Sequence, residues 1–175
     1  MASVENDFGG ENPKRFYRAC EDGDIIKVKT LFDEENSLLN IKDINRMTPL
    51  MTSVTHCQND VSEFLLSKPE IVLNAFDSDQ YSVLHCCSIY GAPVSLVKKI
   101  LQSPTGKEAD FVNARDNNGY TALELAVMEN KPELVTLLAS HSNVKWNQER
   151  ITGIARWVLT TFSVAYFIEI ESLIS

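Results

Sequence analysis

Apolar residues recur at helical spacing in four similar segments of the chain. These segments are VKTLF (28–32), VSEFLL (61–66), LVKKIL (96–101) and LVTLL (134–138). In each one, apolar side chains three or four positions apart fall on one face of an α-helix, so each segment predicts a helix with a buried stripe. A single amphipathic helix pattern therefore returns four times.

A second pattern precedes three of these helices. The stretches DINRMTPLM (43–51), DSDQYSVLH (77–85) and DNNGYTALE (116–124) each place an Asp five residues before a Thr or Ser, and a Leu two residues after it. A hydroxyl at a helix start can accept a backbone N–H, and Pro49 loses nothing at a first helical position. Each stretch therefore predicts a turn that opens into a short inner helix.

Four asparagines form a third series. Asn40, Asn74, Asn113 and Asn147 are separated by intervals of 34, 39 and 34 residues. The longer interval indicates an insertion of five residues within SPTGKEAD (103–110), which we expect to be a surface loop. Because Asn favours turns and bonds to nearby backbone, we interpret the series as structural.

Together these patterns resemble the ankyrin-repeat family. Its units of about 33 residues carry a T-P-L-H-x-A signature, which appears here as TPLM (48–51), SVLH (82–85) and TALELA (121–126). The first unit lacks that tetrapeptide but keeps RACEDGD (18–24), which matches later family positions. The resemblance covers about residues 13–150. It implies an all-α ankyrin-repeat solenoid of stacked helix-turn-helix units with β-turn or hairpin connections.

Two further sets of residues have structural interpretations in this repeat. Small side chains that let neighbouring helices approach closely are expected at Ala19, Ser53, Cys87 and Ala126. Left-handed residues that end the inner helices are expected at Gly23, Cys57, Gly91 and Asn130, with a steric cost for the two that are not glycine.

The repeats define the expected domain organisation. Residues 1–12 are predicted to be a flexible acidic N-terminal tail, and residues 13–150 a repeat domain. Its four repeats are expected at about 13–42, 43–76, 77–115 and 116–150.

Residues 151–175 lose the signature and are rich in apolar residues. Three interpretations stay open: a divergent capping unit, an apolar segment that docks on a partner or a membrane surface, or a non-native end from splicing or truncation. The longest uncharged stretch, 157–168, has 12 residues, whereas roughly 20 are needed to span a bilayer. We therefore expect no transmembrane segment.

Charge and cysteine usage narrow the class of partner and the compartment. The chain has 16 Lys and Arg against 24 Asp and Glu, and the basic residues are scattered, so nucleic-acid binding is not expected. The four cysteines lack the spacing of a disulfide framework, and MASVENDFGG (1–10) carries no signal peptide. These features predict a cytoplasmic or nuclear protein with reduced thiols.

Motifs typical of catalytic sites are absent from the sequence. The sequence has no nucleotide-binding, zinc-protease or hydrolase motif, and Gly106-Lys107 follows Leu101 where a phosphate-binding loop needs glycine. His85 lies beside Cys86 and Cys87, but no second Cys/His pair has zinc-finger spacing. The resemblance implies instead that the His85 imidazole bonds to turn backbone. We expect no enzyme activity, cofactor or metal.

Residues that the repeat does not need for packing are the candidates for binding. In stacked repeats, the turn tips and the exposed side of the inner helices line a concave face. By register the candidates are Met47, His56, Tyr81, Tyr90, Tyr120, Met128 and Glu129. Aromatic residues and Met are enriched where partners dock. The alternative is that the tyrosines pack against the turn of the next repeat.

These observations predict a non-catalytic protein-protein interaction module, such as a scaffold, adaptor or inhibitor. Its net charge of -8 favours a partner with a basic segment. The alternative is a fragment of a larger regulatory protein, enzyme or channel in which the repeats only position another domain.

Overall fold

The computed structural model describes residues 10–159, with side chains described as far as residue 155. Regular structure within this range is helical throughout, which confirms the predicted all-α class. None of the helices in this range is long and apolar enough to cross a membrane. Residues 1–9 and 160–175, which hold most of the predicted N-terminal tail and of the apolar C-terminal segment, lie outside the described residues. The chain divides into two units, residues 1–83 and 84–175.

Unit 1 contains two helix pairs. Its elements are α1 (Glu11–Asp22), α2 (Ile25–Glu34), a 3₁₀ helix (Asn36–Asn40), α3 (Pro49–Thr55) and α4 (Asn59–Leu66). The inner helices α1 and α3 pack against each other, and the outer helix α2 packs against α4. Phe16, Leu31, Leu50 and Leu65 are fully buried between the two layers. Burying such side chains contributes about 1.5–3 kcal/mol each.

Unit 2 repeats this plan and extends it. Its elements are α5 (Val83–Tyr90), which starts at the boundary, α6 (Val94–Gln102), a 3₁₀ helix (Thr105–Lys107), α7 (Ala109–Val112), α8 (Ala122–Met128), α9 (Pro132–Ala139) and α10 (Gln148–Leu159). The outer helices α6 and α9 pack together, and α8 packs against both α9 and α10. Helix α10 runs past residue 150, and its residues Ile151 and Ala155 are buried.

The three recurring aspartates close the turns between repeats. One carboxylate oxygen of Asp43, Asp77 and Asp116 accepts the backbone N–H of the residue four positions later, at 2.7, 2.8 and 2.8 Å. The aspartate N–H donates in return to the carbonyl of that same later residue. The residue three positions after each aspartate adopts a positive φ, as at Gly119. This local bonding explains why Asp recurs at the spacing seen in the sequence.

Helix starts and ends follow the predicted chemistry. Thr48 accepts the N–H of Met51, and Thr121 forms a capping box with Glu124. The positive-φ prediction is confirmed at all four positions, with values of 73°, 57°, 71° and 53° at Gly23, Cys57, Gly91 and Asn130. The four small residues at the close approaches, Ala19, Ser53, Cys87 and Ala126, are all buried.

Two asparagines of the third series link successive repeats. Asn40 donates to the carbonyl of Glu70 (2.8 Å) and accepts the N–H of Val72 (2.9 Å). Asn113 makes the same pair of bonds 30 and 32 residues downstream, at 2.7 and 2.5 Å. Their structural role is therefore confirmed. Asn147 differs, because its side chain accepts the N–H of Arg150 at the start of α10.

Residues 103–110 lie largely at the surface, as predicted, but the prediction that they form an irregular loop is wrong. The segment folds into the 3₁₀ helix and the start of α7, and Gly106 is buried. Ser103 accepts the Gly106 N–H (3.0 Å), and a Cβ on Gly106 would lie 2.0 Å from the Ile100 carbonyl oxygen. The insertion packs closely on α6 because its glycine has no side chain.

Candidate functional site

Two of the three predicted binding residues of unit 1 occupy equivalent places in its repeats. Met47 and Tyr81 are half-buried at the ends of two Asp turns. His56 is exposed at the C-terminus of α3, where its Nδ1 lies 2.9 Å from the carbonyl oxygen of Thr52. This bond fixes the ring at the helix end and turns one edge of the imidazole toward the backbone.

In unit 2, the structure brings two of the predicted residues together. Tyr120 and Met128 line a cavity of about 250 Å³, and Gly153 and Ile154 of α10 complete its described lining. We call this cavity the Tyr120 pocket. A tyrosine ring, a thioether and an isoleucine make its walls suitable for an apolar side chain.

Two other predicted residues of unit 2 are exposed near the ends of inner helices. Tyr90 is the last residue of α5, and Glu129 directly follows α8. Neither belongs to the described lining of the Tyr120 pocket. Glu129 nevertheless follows Met128 in sequence, so it places a solvated carboxylate next to a pocket residue.

The position of Tyr120 is fixed from three directions. Its N–H donates to Asp116, and its carbonyl oxygen lies 3.2 Å from Nε2 of His85. The guanidinium carbon of Arg150 lies 5.6 Å from the centre of the Tyr120 ring, at cation–π distance. Two of these contacts fix the Tyr120 backbone, and the Arg150 contact places a cation against its ring.

A buried carboxylate connects α8 to α10 beside the pocket. Glu124 is only 5% exposed, and its two oxygens contact Arg150 at 2.6 and 3.2 Å. Arg115 approaches the same carboxylate at 3.3 Å. The hydrogen bond and the charge of Glu124 raise the pKa of Arg150. Because both arginines are about half exposed, solvent screens each pair. Arg150 holds the start of α10 against α8, and Arg115 ties the preceding turn to the same carboxylate.

Sequence reasoning missed the role of Tyr17. Counting back 34 residues from Met51 places Tyr17 at the histidine position of the repeat signature, although the first repeat lacks the tetrapeptide. Its hydroxyl lies 2.6 Å from the carbonyl oxygen of Met47 and 2.9 Å from that of Ile41. Burial, together with the nearby charge of Asp43, raises the pKa of Tyr17 above its ordinary value. The hydroxyl therefore keeps its proton and donates it to the turn.

The structure gives the His85, Cys86 and Cys87 group a packing role. The His85 ring bonds to the Tyr120 carbonyl, as the resemblance implied, and both cysteines are buried. Burial, with the charge of Cys86 adding, raises the pKa of Cys87, so its thiol is unreactive. Within the described range, no three His, Cys, Asp or Glu side chains are placed to hold a metal ion.

Comparisons with known proteins agree with this repeat architecture. The chain is 32% identical over 114 residues to the 26S proteasome regulatory subunit p28 of Saccharomyces cerevisiae, a match covering 63% of this chain and 48% of p28. It is 32% identical over 126 residues to the rat ankyrin repeat and SAM domain-containing protein 6, covering 71% of this chain and 14% of that protein. An ankyrin repeat protein of fowlpox virus is 38% identical over 72 residues, covering 39% and 20%. No family model matches the chain.

Recurring Asp turns, hydroxyl-capped inner helices and paired outer helices define a helical repeat protein. The likeness to relatives named for ankyrin repeats identifies the family, and the chain is an ankyrin-repeat protein. It spans about half the length of p28 and a fifth or less of the other two relatives.

Proposed function

We propose that the chain is a non-catalytic protein-protein interaction module that receives an apolar side chain of its partner in the Tyr120 pocket. The observation that carries this proposal is the meeting of Tyr120 and Met128, two residues selected from the sequence, in one cavity. Tyr and Met are enriched at docking surfaces. Ankyrin repeats in the relatives support the same class of function.

Rigidity of the pocket favours binding. The Asp116 and His85 contacts fix the Tyr120 backbone and Arg150 packs against its ring, so this wall of the pocket is ordered before docking. Immobilising a flexible side chain at an interface costs about 0.5–1.5 kcal/mol, and a pre-ordered wall avoids much of that cost.

The finer proposal includes the other predicted residues and the charge of the partner. Met47, His56 and Tyr81 in unit 1, with Tyr90 and Glu129 in unit 2, are proposed to contact the partner as well. Glu129, which is exposed and follows the pocket residue Met128 in sequence, and a net charge of -8 favour a partner with a basic segment. We propose a scaffold, adaptor or inhibitor role in the cytoplasm or nucleus, without nucleic acid as a ligand.

Filling the pocket tests the proposal directly. A Cβ on Gly153 would meet no atom within 4 Å, so Gly153→Leu adds a side chain at the pocket without a clash at its Cβ. Gln148→Leu is the matched control, because it adds leucine to an exposed position of the same helix. We expect Gly153→Leu to lose the partners that the wild type and Gln148→Leu retain in affinity capture. Circular dichroism should show equal helicity in all three.

The contrary result is equally clear. If Gly153→Leu retains every partner, the pocket is not the docking site. A double substitution of Tyr81 and Tyr120 to Ala then tests the wider set of predicted residues. Partners that survive this change as well would contradict the predicted face altogether.

Salt tests the charge of the partner. Association of a captured partner should slow markedly as ionic strength rises, because screening weakens attraction between an acidic module and a basic segment. An association rate that stays constant from low to high salt would remove the basic segment from the proposal and leave the pocket unaffected.

A second candidate function is that these repeats position another domain of a larger protein. The small shares of the relatives that the chain covers favour this alternative. Limited proteolysis discriminates: protection of residues 151–175 in the isolated chain supports an independent module, whereas immediate cleavage supports the alternative.

A further inference from the structure

We propose that unit 2 has a second docking surface, of opposite charge preference, which binds an acidic amphipathic peptide segment. It is a groove of about 430 Å³ between outer helices α6 and α9, and we call it the Lys98 groove. Its described lining shares no residue with the Tyr120 pocket, so this inference does not rest on the function proposed above.

The groove has a local charge opposite to that of the chain. Lys98 and Lys107 both line it and are exposed, whereas no Asp or Glu belongs to its described lining. The whole chain has 24 acidic residues against 16 basic ones, so a lining with two lysines and no carboxylate is a marked departure. Charge complementarity therefore selects an acidic occupant.

A histidine adds a directed donor to the groove. Nδ1 of His141 lies 3.4 Å from the backbone N of Asn143 and accepts its N–H, which leaves the ring proton on Nε2. His141 lines the groove, so its remaining N–H can bond to a carboxylate of the occupant. Carboxylate oxygens accept such bonds readily, so His141 and the two lysines favour the same kind of occupant.

The inserted residues build one wall. Gly106 is buried on α6, and the side chain of Asn143 donates to the backbone carbonyl of Lys107 at 2.5 Å. These contacts fix the backbone of Lys107 at the groove. Because only this interval of the asparagine series is lengthened, the wall is specific to the junction of the third and fourth repeats.

Apolar residues form the base between the cationic groups. Leu101 is buried and Leu137 half-buried, and both line the groove. An occupant that contacts both the apolar base and the lysines has acidic side chains on either side of an apolar side chain. A short amphipathic helix rich in Glu and Leu has this pattern.

Fluorescence anisotropy with a labelled peptide of alternating Glu and Leu pairs tests the inference, and the same peptide with Lys in place of Glu is the probe control. Lys98→Glu with Lys107→Glu should weaken binding of the acidic peptide about tenfold, since two exposed attractions become repulsions. Lys14→Glu with Lys42→Glu makes the same change in net charge at exposed positions of unit 1 and should leave binding nearly unchanged.

Three results would overturn the inference: equal losses in the two charge-reversed variants, preference of the wild type for the Lys peptide, or no detectable binding of the Glu peptide. If circular dichroism shows that the groove variant is unfolded, Lys98→Gln with Lys107→Gln replaces it, with an expected loss of about threefold. Hydrogen exchange of the bound wild type should slow at residues 98–107 and 137–143, and protection confined to other residues would contradict the site.

Discussion

Two buried side chains, Tyr17 in unit 1 and His85 in unit 2, occupy the same position of the repeat and bond to the same kind of atom. The Tyr17 hydroxyl lies 2.6 Å from the carbonyl oxygen of Met47, and the His85 ring lies 3.2 Å from that of Tyr120. One is a phenol and the other an imidazole. In these two repeats a buried side chain therefore donates to the following turn, and either a phenol or an imidazole can supply the donor.

The same position differs more sharply between the other two repeats. Met51 in unit 1 is a fully buried apolar side chain, whereas Glu124 in unit 2 is a buried carboxylate that contacts two arginines. Unit 2 also contains the insertion, packed through Gly106. The second repeat is thus stabilised at this position by apolar packing, whereas the fourth has a charged contact there. The insertion gives unit 2 a further turn elsewhere.

The largest expected loss of stability comes from disturbing the packed insertion of unit 2. Gly106→Ala should lower the free energy of unfolding by about 3 kcal/mol, because the new Cβ meets backbone atoms of Ile100 and Leu101 that cannot easily move. Gly153→Ala is the control: its Cβ meets nothing, and alanine favours helix by up to about 1 kcal/mol. Urea unfolding measures both, and equal stability of the two variants would show that the insertion is loosely packed.

The second largest loss of stability is expected from removing the charge of Glu124. Glu124→Gln should cost about 2 kcal/mol, since it weakens charge-assisted bonds to two arginines that are themselves partly screened. Glu129→Gln, an exposed change at the end of the same helix, should stay within about 0.5 kcal/mol. Urea unfolding at low and high salt provides the measurement. A cost that does not shrink at high salt would assign the effect to packing instead of charge.

Removing the donor of unit 1 should have a smaller effect. Tyr17→Phe deletes one hydroxyl from a buried bond and should lower the free energy of unfolding by about 1 kcal/mol. Tyr120→Phe keeps the ring that faces Arg150 and should change stability by less than about 0.5 kcal/mol. If the two substitutions have equal effects in thermal unfolding, the turn does not need the Tyr17 donor.

Alkaline pH should produce the smallest difference. Burial raises the pKa of Tyr17 in the folded protein above the ordinary 10.0, so the unfolded chain loses this proton first as pH rises. Stability due to Tyr17 is therefore complete below pH 10 and falls above it, by about 0.8 kcal/mol at half a pH unit higher. The wild type should lose that much more than Tyr17→Phe between neutral pH and pH 10.5. If the wild type and Tyr17→Phe lose the same amount of stability, the Tyr17 hydroxyl ionises as readily in the folded protein as in the unfolded chain.

Features set by short spacing were predictable from the sequence. The hydroxyl caps at Thr48 and Thr121 and the left-handed residues at Cys57 and Asn130 depend on neighbours within a few positions. Repetition strengthened each of these predictions, because one local pattern was read several times.

Features set by distant contacts were not predictable. Gly106 packs on α6 only after the chain folds back, and Arg150 reaches Glu124 across 26 residues. Gly153 and Ile154, which line the Tyr120 pocket, lie beyond the last repeat signature, so the repeat spacing could not predict their positions. Tyr17 could have been found by counting 34 residues from Met51, but its residue type differs from the signature.

The asparagine bonds have a consequence for protein engineering. Asn40 and the backbone it holds at Glu70 and Val72 fall on opposite sides of the Asp43 turn. In a chimera joined at Asp43, the Asn40 side chain would come from one parent protein, and the backbone of Glu70 and Val72 would come from the other. A cassette that starts before Asn40 and ends after Val72 carries both halves, and chimeras cut there should express better than those cut at Asp43.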